Sequence, residues 1–84
     1  MKKESMLDKI VESFPDDEIL KMDGLDDAII GIDEKSVRLI YSVSKIIEIL
    51  CEDMPEEDAW DYFGYNIECC YMGEKTPILC YDNF

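Results

Sequence analysis

PEEDAWDYFGYNIECCYM, residues 55 to 72, is the stretch that decides the fold. As a helix with about 100° per residue, it is apolar around most of its circumference. One broad apolar sector comprises Ala59, Trp60, Phe63, Ile67, Cys70 and Tyr71, and a second comprises Tyr62, Tyr65, Cys69 and Met72. A helix that is apolar on most sides is buried on most sides. We therefore expect a central helix, or one that also contacts a partner.

Two short helices are predicted before the first strand. Residues 4 to 14 place apolar side chains on one helical face, and Pro15 interrupts this pattern. Asp16 then resembles the N-cap of a helix of one to two turns, which would end at Gly24.

The period of the apolar residues changes after Gly24. Ala28, Ile30 and Ile32 alternate with a mixed set, Ile29, Gly31 and Asp33, and the residues from 37 to 41 alternate in the same way, with Arg38 and Ile40 on the mixed face. Turn-forming residues at 33 to 36 separate the two runs. This pattern predicts a β-hairpin with a loop of about four residues and one fully apolar face.

Two long helices and a last strand follow the hairpin. Ser42 is a suitable N-cap for a helix whose apolar stripe runs from Val43 to Met54. Pro55 would begin the next helix, which we expect to end at Gly73. Residues 78 to 81 read as a short strand.

The predicted fold class is α+β. We expect a three-stranded antiparallel sheet in the order 2-1-3, with the two long helices on one face. The 84 residues would form a single domain, comprising an N-terminal helical segment (1–23) and a ββααβ core (24–84). The N-terminal helix would cover either the second face of the sheet or the sector that contains Tyr62 and Tyr65.

The composition argues against several classes of partner. A formal net charge of −13 excludes ordinary nucleic-acid binding and disfavours anionic membranes, and it favours protein partners with a basic surface. No signal peptide or membrane span is apparent, which predicts a cytoplasmic location and reduced cysteines. The chain has no histidine, and we expect no metal, no cofactor and no catalytic residue.

The candidate partner-binding residues lie between positions 48 and 65. They are Glu48, Glu52, Asp53, Glu56, Glu57, Asp58, Asp61, Tyr62 and Tyr65. The carboxylates could occupy a nucleic-acid channel as phosphate mimics, or they could simply form a solvated face with acids at a helix N-terminus. The tyrosines, with Cys69 and Met72, could form a protein-partner or homodimer surface, or they could pack under the N-terminal helix or the loop before the hairpin.

Three other groups favour structural roles. The acidic turn around Gly24 lacks the oxygen ligands of a calcium loop, because Ile19 and Lys21 occupy the ligand positions. The cysteines lack metal-binding spacing and are expected to be small buried side chains. Asn66 lies in the main apolar sector, which predicts a buried amide that attaches the helix to a loop or a strand edge.

A string of motifs resembles one group of proteins. It comprises GLDDAIIG at 24–31, YS at 41–42, IEIL at 47–50, YF at 62–63 and GEKTPI at 73–78. Together these resemble a group of short, uncharacterised bacteriophage proteins. The resemblance implies a phage or prophage origin, and hence a role inside a host cell against the host or its defences.

The sequence thus favours a small acidic protein that acts by stoichiometric protein binding. Its target would be a host or antiviral-defence protein that binds nucleic acid, inhibited through the acidic surface. The alternative is a homo-oligomeric structural or accessory phage protein without catalytic activity.

Overall fold

The computed structural model describes residues 6–84, and its α+β class confirms the prediction. Its regular elements, in chain order, are α1 (Met6–Ser13), a 3-10 turn (Asp26–Ala28), β1 (Ile29–Asp33), β2 (Arg38–Ser42), α2 (Val43–Leu50), α3 (Glu56–Tyr62), a π-helix (Phe63–Glu68) that continues α3, and β3 (Ile78–Cys80). The first two residues of the predicted N-terminal helix lie outside the described residues.

The predicted second helix, at residues 16–23, is wrong. Only a turn is present at its start, where the Asp17 N–H lies 3.3 Å from the Phe14 carbonyl oxygen. Near its expected end, the N–H of Met22 donates to the Tyr41 hydroxyl at 2.8 Å. A helix of one to two turns gains too few hydrogen bonds to offset nucleation, so this tertiary bond determines the local structure instead.

The predicted hairpin is confirmed, with one change in its faces. Asp33 pairs with Arg38 across a four-residue loop, and a bulge interrupts the register between Ile29 and Gly31. A bulge shifts the alternation of side chains by one residue. Ile29 rather than Ile30 therefore belongs to the core, and it is buried.

The predicted strand order 2-1-3 is wrong. The order is β1-β2-β3, and β3 runs parallel to β2, so the sheet is mixed. Parallel neighbours require a long crossover connection. The segment from α2 to residue 77 is long enough to provide it, although its two helices suggested an antiparallel return.

Polar contacts at both ends attach β3 to β2. At the start of β3, Arg38 donates to the Thr76 carbonyl oxygen at 3.2 Å, and Lys75 donates to the Ser36 carbonyl oxygen at 2.6 Å. Beyond its other end, Asp82 accepts the Ser42 hydroxyl at 2.6 Å. Arg38 and Ser42 belong to β2, whereas Lys75 and Asp82 flank β3, so these bonds join the two neighbouring strands at both ends.

The core lies where the sheet meets the helices. Leu39, Tyr41, Val43, Ile46 and Ala59 are fully buried. The N-terminal segment contributes to the same cluster through Ile10, with Leu7, Phe14 and Ile19 packed against it. α1 itself packs against β1.

The stretch at 55–72 is less buried than its pattern predicted. Its only buried residues are Ala59, Phe63 and Ile67, which are spaced by four. The helix ends at Glu68, five residues before the expected end at Gly73, and its second half has π geometry. A π-helix has i→i+5 hydrogen bonds, so an α-helical wheel misplaces the side chains beyond Phe63. The prediction of burial on most sides is therefore wrong.

Candidate functional site

The seven predicted carboxylates, which we call the acidic surface, lie between positions 48 and 61. Glu48 is on α2, Glu52 and Asp53 are in the turn that follows, and Glu56, Glu57, Asp58 and Asp61 are on α3. All seven are exposed. None of them forms an ion pair with another residue in the range 6–84. The structure thus presents these carboxylates to solvent on two consecutive helices and in the turn between them.

The charge of this region is poorly compensated. Lys45 is the only basic residue between positions 42 and 72. Exposed charges interact over about 8 Å at physiological ionic strength, so neighbouring carboxylates repel one another and add to one negative field. Such a field attracts basic surfaces and raises association rates.

The two predicted tyrosines lie beside the acidic surface and are uncovered. Tyr62 is 45% exposed and Tyr65 is 83% exposed. The described part of the N-terminal helix, α1, packs against β1, and it leaves both tyrosines exposed. Tyr71, which follows the end of the helix, is also 79% exposed.

The core side of the same helix is fixed by aromatic contacts. Trp60 and Phe63 meet edge to face with ring centroids 5.8 Å apart, and Phe63 meets Tyr81 in the same way at 6.3 Å. The Tyr81 hydroxyl also donates to the Glu68 carboxylate. This hydrogen bond raises the pKa of Tyr81, and it holds the end of the π-helix against the chain after β3.

Asn66 does not have its predicted role. Its side chain is exposed, and its amide donates to the Tyr62 carbonyl oxygen at 3.2 Å within the same helix. The prediction of a buried amide that attaches the helix to a loop or strand is wrong. The π geometry that begins at Phe63 explains the misplacement.

A first depression, the acidic cleft, lies between α2 and α3. Ser44, Ile47, Glu48, Cys51, Glu56, Trp60 and Asn83 line its volume of about 430 Å³. Two of the predicted carboxylates and an indole ring are thus brought together. A carboxylate pair beside an aromatic ring suits an ammonium or guanidinium group.

A second depression, the methionine groove, lies between the turn at residues 21–25 and the helices. Its apolar lining includes Met22, Leu25, Leu50, Met54, Ile67 and Met72, and its volume is about 490 Å³. Asp53, Tyr62 and Asn66, which were predicted as site residues for other reasons, also line it.

Hydrogen bonds hold two sides of the methionine groove in place. The hydroxyl of buried Tyr41 accepts the Met22 N–H, and burial raises the pKa of this tyrosine. Gly24, at φ 81°, allows the turn that brings Leu25 back to the core. On the other side, the Met72 N–H donates to the Thr76 hydroxyl at 2.7 Å.

Met72 was predicted only as part of the sector with Tyr62 and Tyr65, and its grouping with Met22 and Met54 was not predicted. The three methionines are 32 and 18 residues apart in the chain, so no local pattern joins them. Their residue type was a usable signal, because methionine is frequent at adaptable binding surfaces.

The expectation of buried cysteines is wrong for three of the four. Cys51, Cys69 and Cys70 are exposed, and Cys80 is half-buried. Within residues 6–84, no group of three or more cysteine, aspartate or glutamate side chains is placed to hold a metal ion. No helix in this range is long and apolar enough to span a membrane.

Comparison of the chain with protein-family models, with curated proteins and with solved structures found no match. Its function therefore has to be inferred from geometry and charge.

Proposed function

We propose that this protein acts by stoichiometric binding of a protein with a basic surface. The observation that carries the proposal is the acidic surface, seven exposed carboxylates without ion-pair partners among the described residues, next to exposed Tyr62 and Tyr65. Uncompensated charge beside exposed aromatic rings combines long-range steering with short-range apolar contact.

The proposed mechanism has two stages. The acidic surface first attracts and orients the partner, which raises the association rate. Lysine or arginine side chains then enter the acidic cleft between Glu48, Glu56 and Trp60, while Tyr62 and Tyr65 contact apolar parts of the partner. Tyrosine suits such contacts because its ring is apolar and its hydroxyl can remain hydrated.

The partner that we propose is a nucleic-acid-binding protein of a host cell or of an antiviral defence. A surface that normally binds phosphates is basic, and a set of carboxylates can occupy it in place of nucleic acid. The resemblance to short bacteriophage proteins supports a target of this kind. The protein would then inhibit its target by competition.

Capture from a bacterial lysate tests this proposal. The variant E52K/E56K/E57K reverses three charges of the acidic surface, and E12K/D16K/D17K reverses three exposed charges elsewhere. We expect the wild type and the second variant to capture the same protein, and the first variant to lose it. Equal capture by all three proteins would contradict the proposal.

Competition then tests the inhibitory part. We expect DNA or RNA that binds the captured protein to be displaced by the wild type and not by E52K/E56K/E57K. A ternary complex of similar affinity would show that the acidic surface binds elsewhere on the target.

A homo-oligomeric structural or accessory phage protein is the second candidate, and exposed Tyr65 and Tyr71 favour it. The two functions differ in their dependence on salt. Salt weakens attraction to a basic partner, but it screens the repulsion between two copies of charge −13. Light scattering at rising salt distinguishes them, because only self-association through the tyrosines increases.

A further inference from the structure

We propose that the methionine groove receives a large apolar side chain of the basic partner, from a segment in which lysine or arginine flanks that residue. This inference rests on the proposed function, because the groove opens beside the acidic surface and shares Asp53 with it. It adds a second specificity element, since charge alone would not distinguish one basic segment from another.

The lining of the groove suits an apolar side chain. Three of the five methionines in the chain, Met22, Met54 and Met72, meet there and are only partly buried. Methionine is unbranched and polarisable, so it adapts to differently shaped apolar groups and makes favourable contacts with aromatic rings. A volume of about 490 Å³ lies within the range of pockets that enclose whole small molecules, about 300–1,000 Å³.

The charges around the groove select a basic segment. Asp23 and Asp53 line it and are exposed. Lys21 is the only basic residue in the lining, and its ammonium group is paired with the Asp26 carboxylate at 3.4 Å. The groove therefore has a net negative border, which would repel an acidic segment and attract lysine or arginine.

The groove is also preformed. The Tyr41 hydroxyl fixes the Met22 backbone, and Thr76 fixes the Met72 backbone. Thr76 is itself held by donation of its hydroxyl to the Gly73 carbonyl oxygen at 2.6 Å. Walls that are ordered before binding reduce the entropy lost on association.

Nuclear magnetic resonance of protein labelled at the methionine methyl groups and at the backbone amide nitrogens tests the inference without knowledge of the partner. The probes are three synthetic peptides, one with a single tryptophan between lysine and arginine residues, one with serine in place of the tryptophan, and one with glutamine in place of every basic residue. The methyl group of Met6, which lies on α1 away from the groove, is the internal control.

We expect the basic tryptophan peptide to shift the methyl resonances of Met22, Met54 and Met72, and not that of Met6. The serine and glutamine peptides should each bind at least about tenfold more weakly. Shifts confined to the backbone amides of the acidic surface would show that the groove does not receive the side chain, and they would leave the proposed function intact. If neither basic peptide bound, both the groove inference and the proposed function would be contradicted. If the glutamine peptide bound as tightly as the basic tryptophan peptide, the inferred preference for a basic segment would be wrong.

Two neighbouring cysteines provide a matched pair of variants. Cys70 lines the groove, Cys69 lines neither depression, and both are exposed, so a large side chain at either position spares the core. We expect C70W to reduce the affinity for the tryptophan peptide to that for the serine peptide, and C69W to leave it unchanged. Equal effects of the two variants, or none, would overturn the inference.

Discussion

Helix α2 and the helix formed by α3 and its π extension follow one another in the chain and carry the same acidic surface, yet they differ in burial. α2 has three buried residues, Val43, Ile46 and Ile47, within eight positions. The second helix spans Glu56 to Glu68 and buries only Ala59, Phe63 and Ile67. The first helix mainly holds the fold together, and the second mainly presents side chains to solvent.

The N-termini of the two helices differ in their capping. The hydroxyl of buried Ser42 accepts the Lys45 N–H at 3.2 Å and donates to the Asp82 carboxylate at 2.6 Å. Asp82 also accepts the Ser44 N–H at 3.0 Å, so the chain after β3 is attached to the start of α2. α3 follows Pro55 and has no side-chain cap. The helix that is more buried is therefore also the one with a side-chain cap.

Truncation of one side chain on each helix gives the largest expected difference. Ile46 is fully buried, so I46A should lower the free energy of unfolding by about 2–5 kcal/mol. Tyr65 is 83% exposed, so Y65A should change it by less than about 0.5 kcal/mol. Urea unfolding followed by circular dichroism measures both. A loss of similar size in the two variants would show that the second helix is covered, in conflict with the structure.

Removal of the α2 cap should have a smaller effect. S42A deletes the oxygen that accepts the Lys45 N–H, and loss of such a cap costs about 0.5–2 kcal/mol. The same unfolding measurement applies, with S44A as the control, because that change removes the contact of the Ser44 hydroxyl with the Ser42 hydroxyl but leaves the Ser42 oxygen that accepts the Lys45 N–H. Equal stability of S42A and the wild type would refute the role of the cap.

The attachment of Asp82 should depend on pH. The Ser42 hydroxyl, and next the Ser44 N–H, hold the pKa of Asp82 below its ordinary value. A carboxyl whose pKa is lowered in the folded state stabilises the protein fully above its unfolded pKa of about 3.9, and this contribution is lost as the pH falls through the folded pKa. The stability difference between the wild type and D82N should thus be constant near pH 5–7 and shrink below about pH 4.

Asp33 also has a lowered pKa, mainly through hydrogen bonds from Ser36. The wild type and D82N should therefore both lose stability in acid, because both contain Asp33. Only the difference between them reports on Asp82. A difference that stays constant down to about pH 2 would contradict the assigned hydrogen bonds.

The hairpin that precedes α2 contains a residue with backbone strain. Relief of this strain should give the smallest change in the free energy of unfolding. Val37 has φ 53°, which is unfavourable for a β-branched side chain. Asparagine tolerates this conformation, so V37N should raise the free energy of unfolding by about 0.5–1 kcal/mol. V37I, which retains the branching, is the control. Destabilisation by V37N would show that packing of the half-buried valine outweighs the strain.

The elements of the first half of the core were predictable because local signals agreed there. The change to a period of two between Ala28 and Tyr41, and Ser42 as an N-cap, gave the hairpin and the start of α2 correctly. The shift of Ile29 into the core was not predicted from the alternation, and Gly31, which borders the bulge, was the one local signal, because a glycine inside a strand often marks a bulge.

The second half was less predictable because long-range contacts decide it. β3 is joined to β2 through Arg38, Lys75 and Asp82, which bond across 38 to 40 residues. The π geometry after Tyr62 moves Asn66 into solvent, although its sequence position suggested burial. The exposed carboxylates were foreseeable from charge alone, but their grouping with Trp60 in the acidic cleft, and the methionine groove, required the fold.

The most direct test of the acidic surface is the affinity of the captured partner as a function of salt concentration, for the wild type and for E52Q/E56Q/E57Q. The proposed binding predicts that the wild-type affinity falls steadily from about 0.05 M to about 0.5 M salt, and that the neutralised variant binds more weakly with a shallower dependence. An affinity that is independent of salt and equal in the two proteins would contradict it.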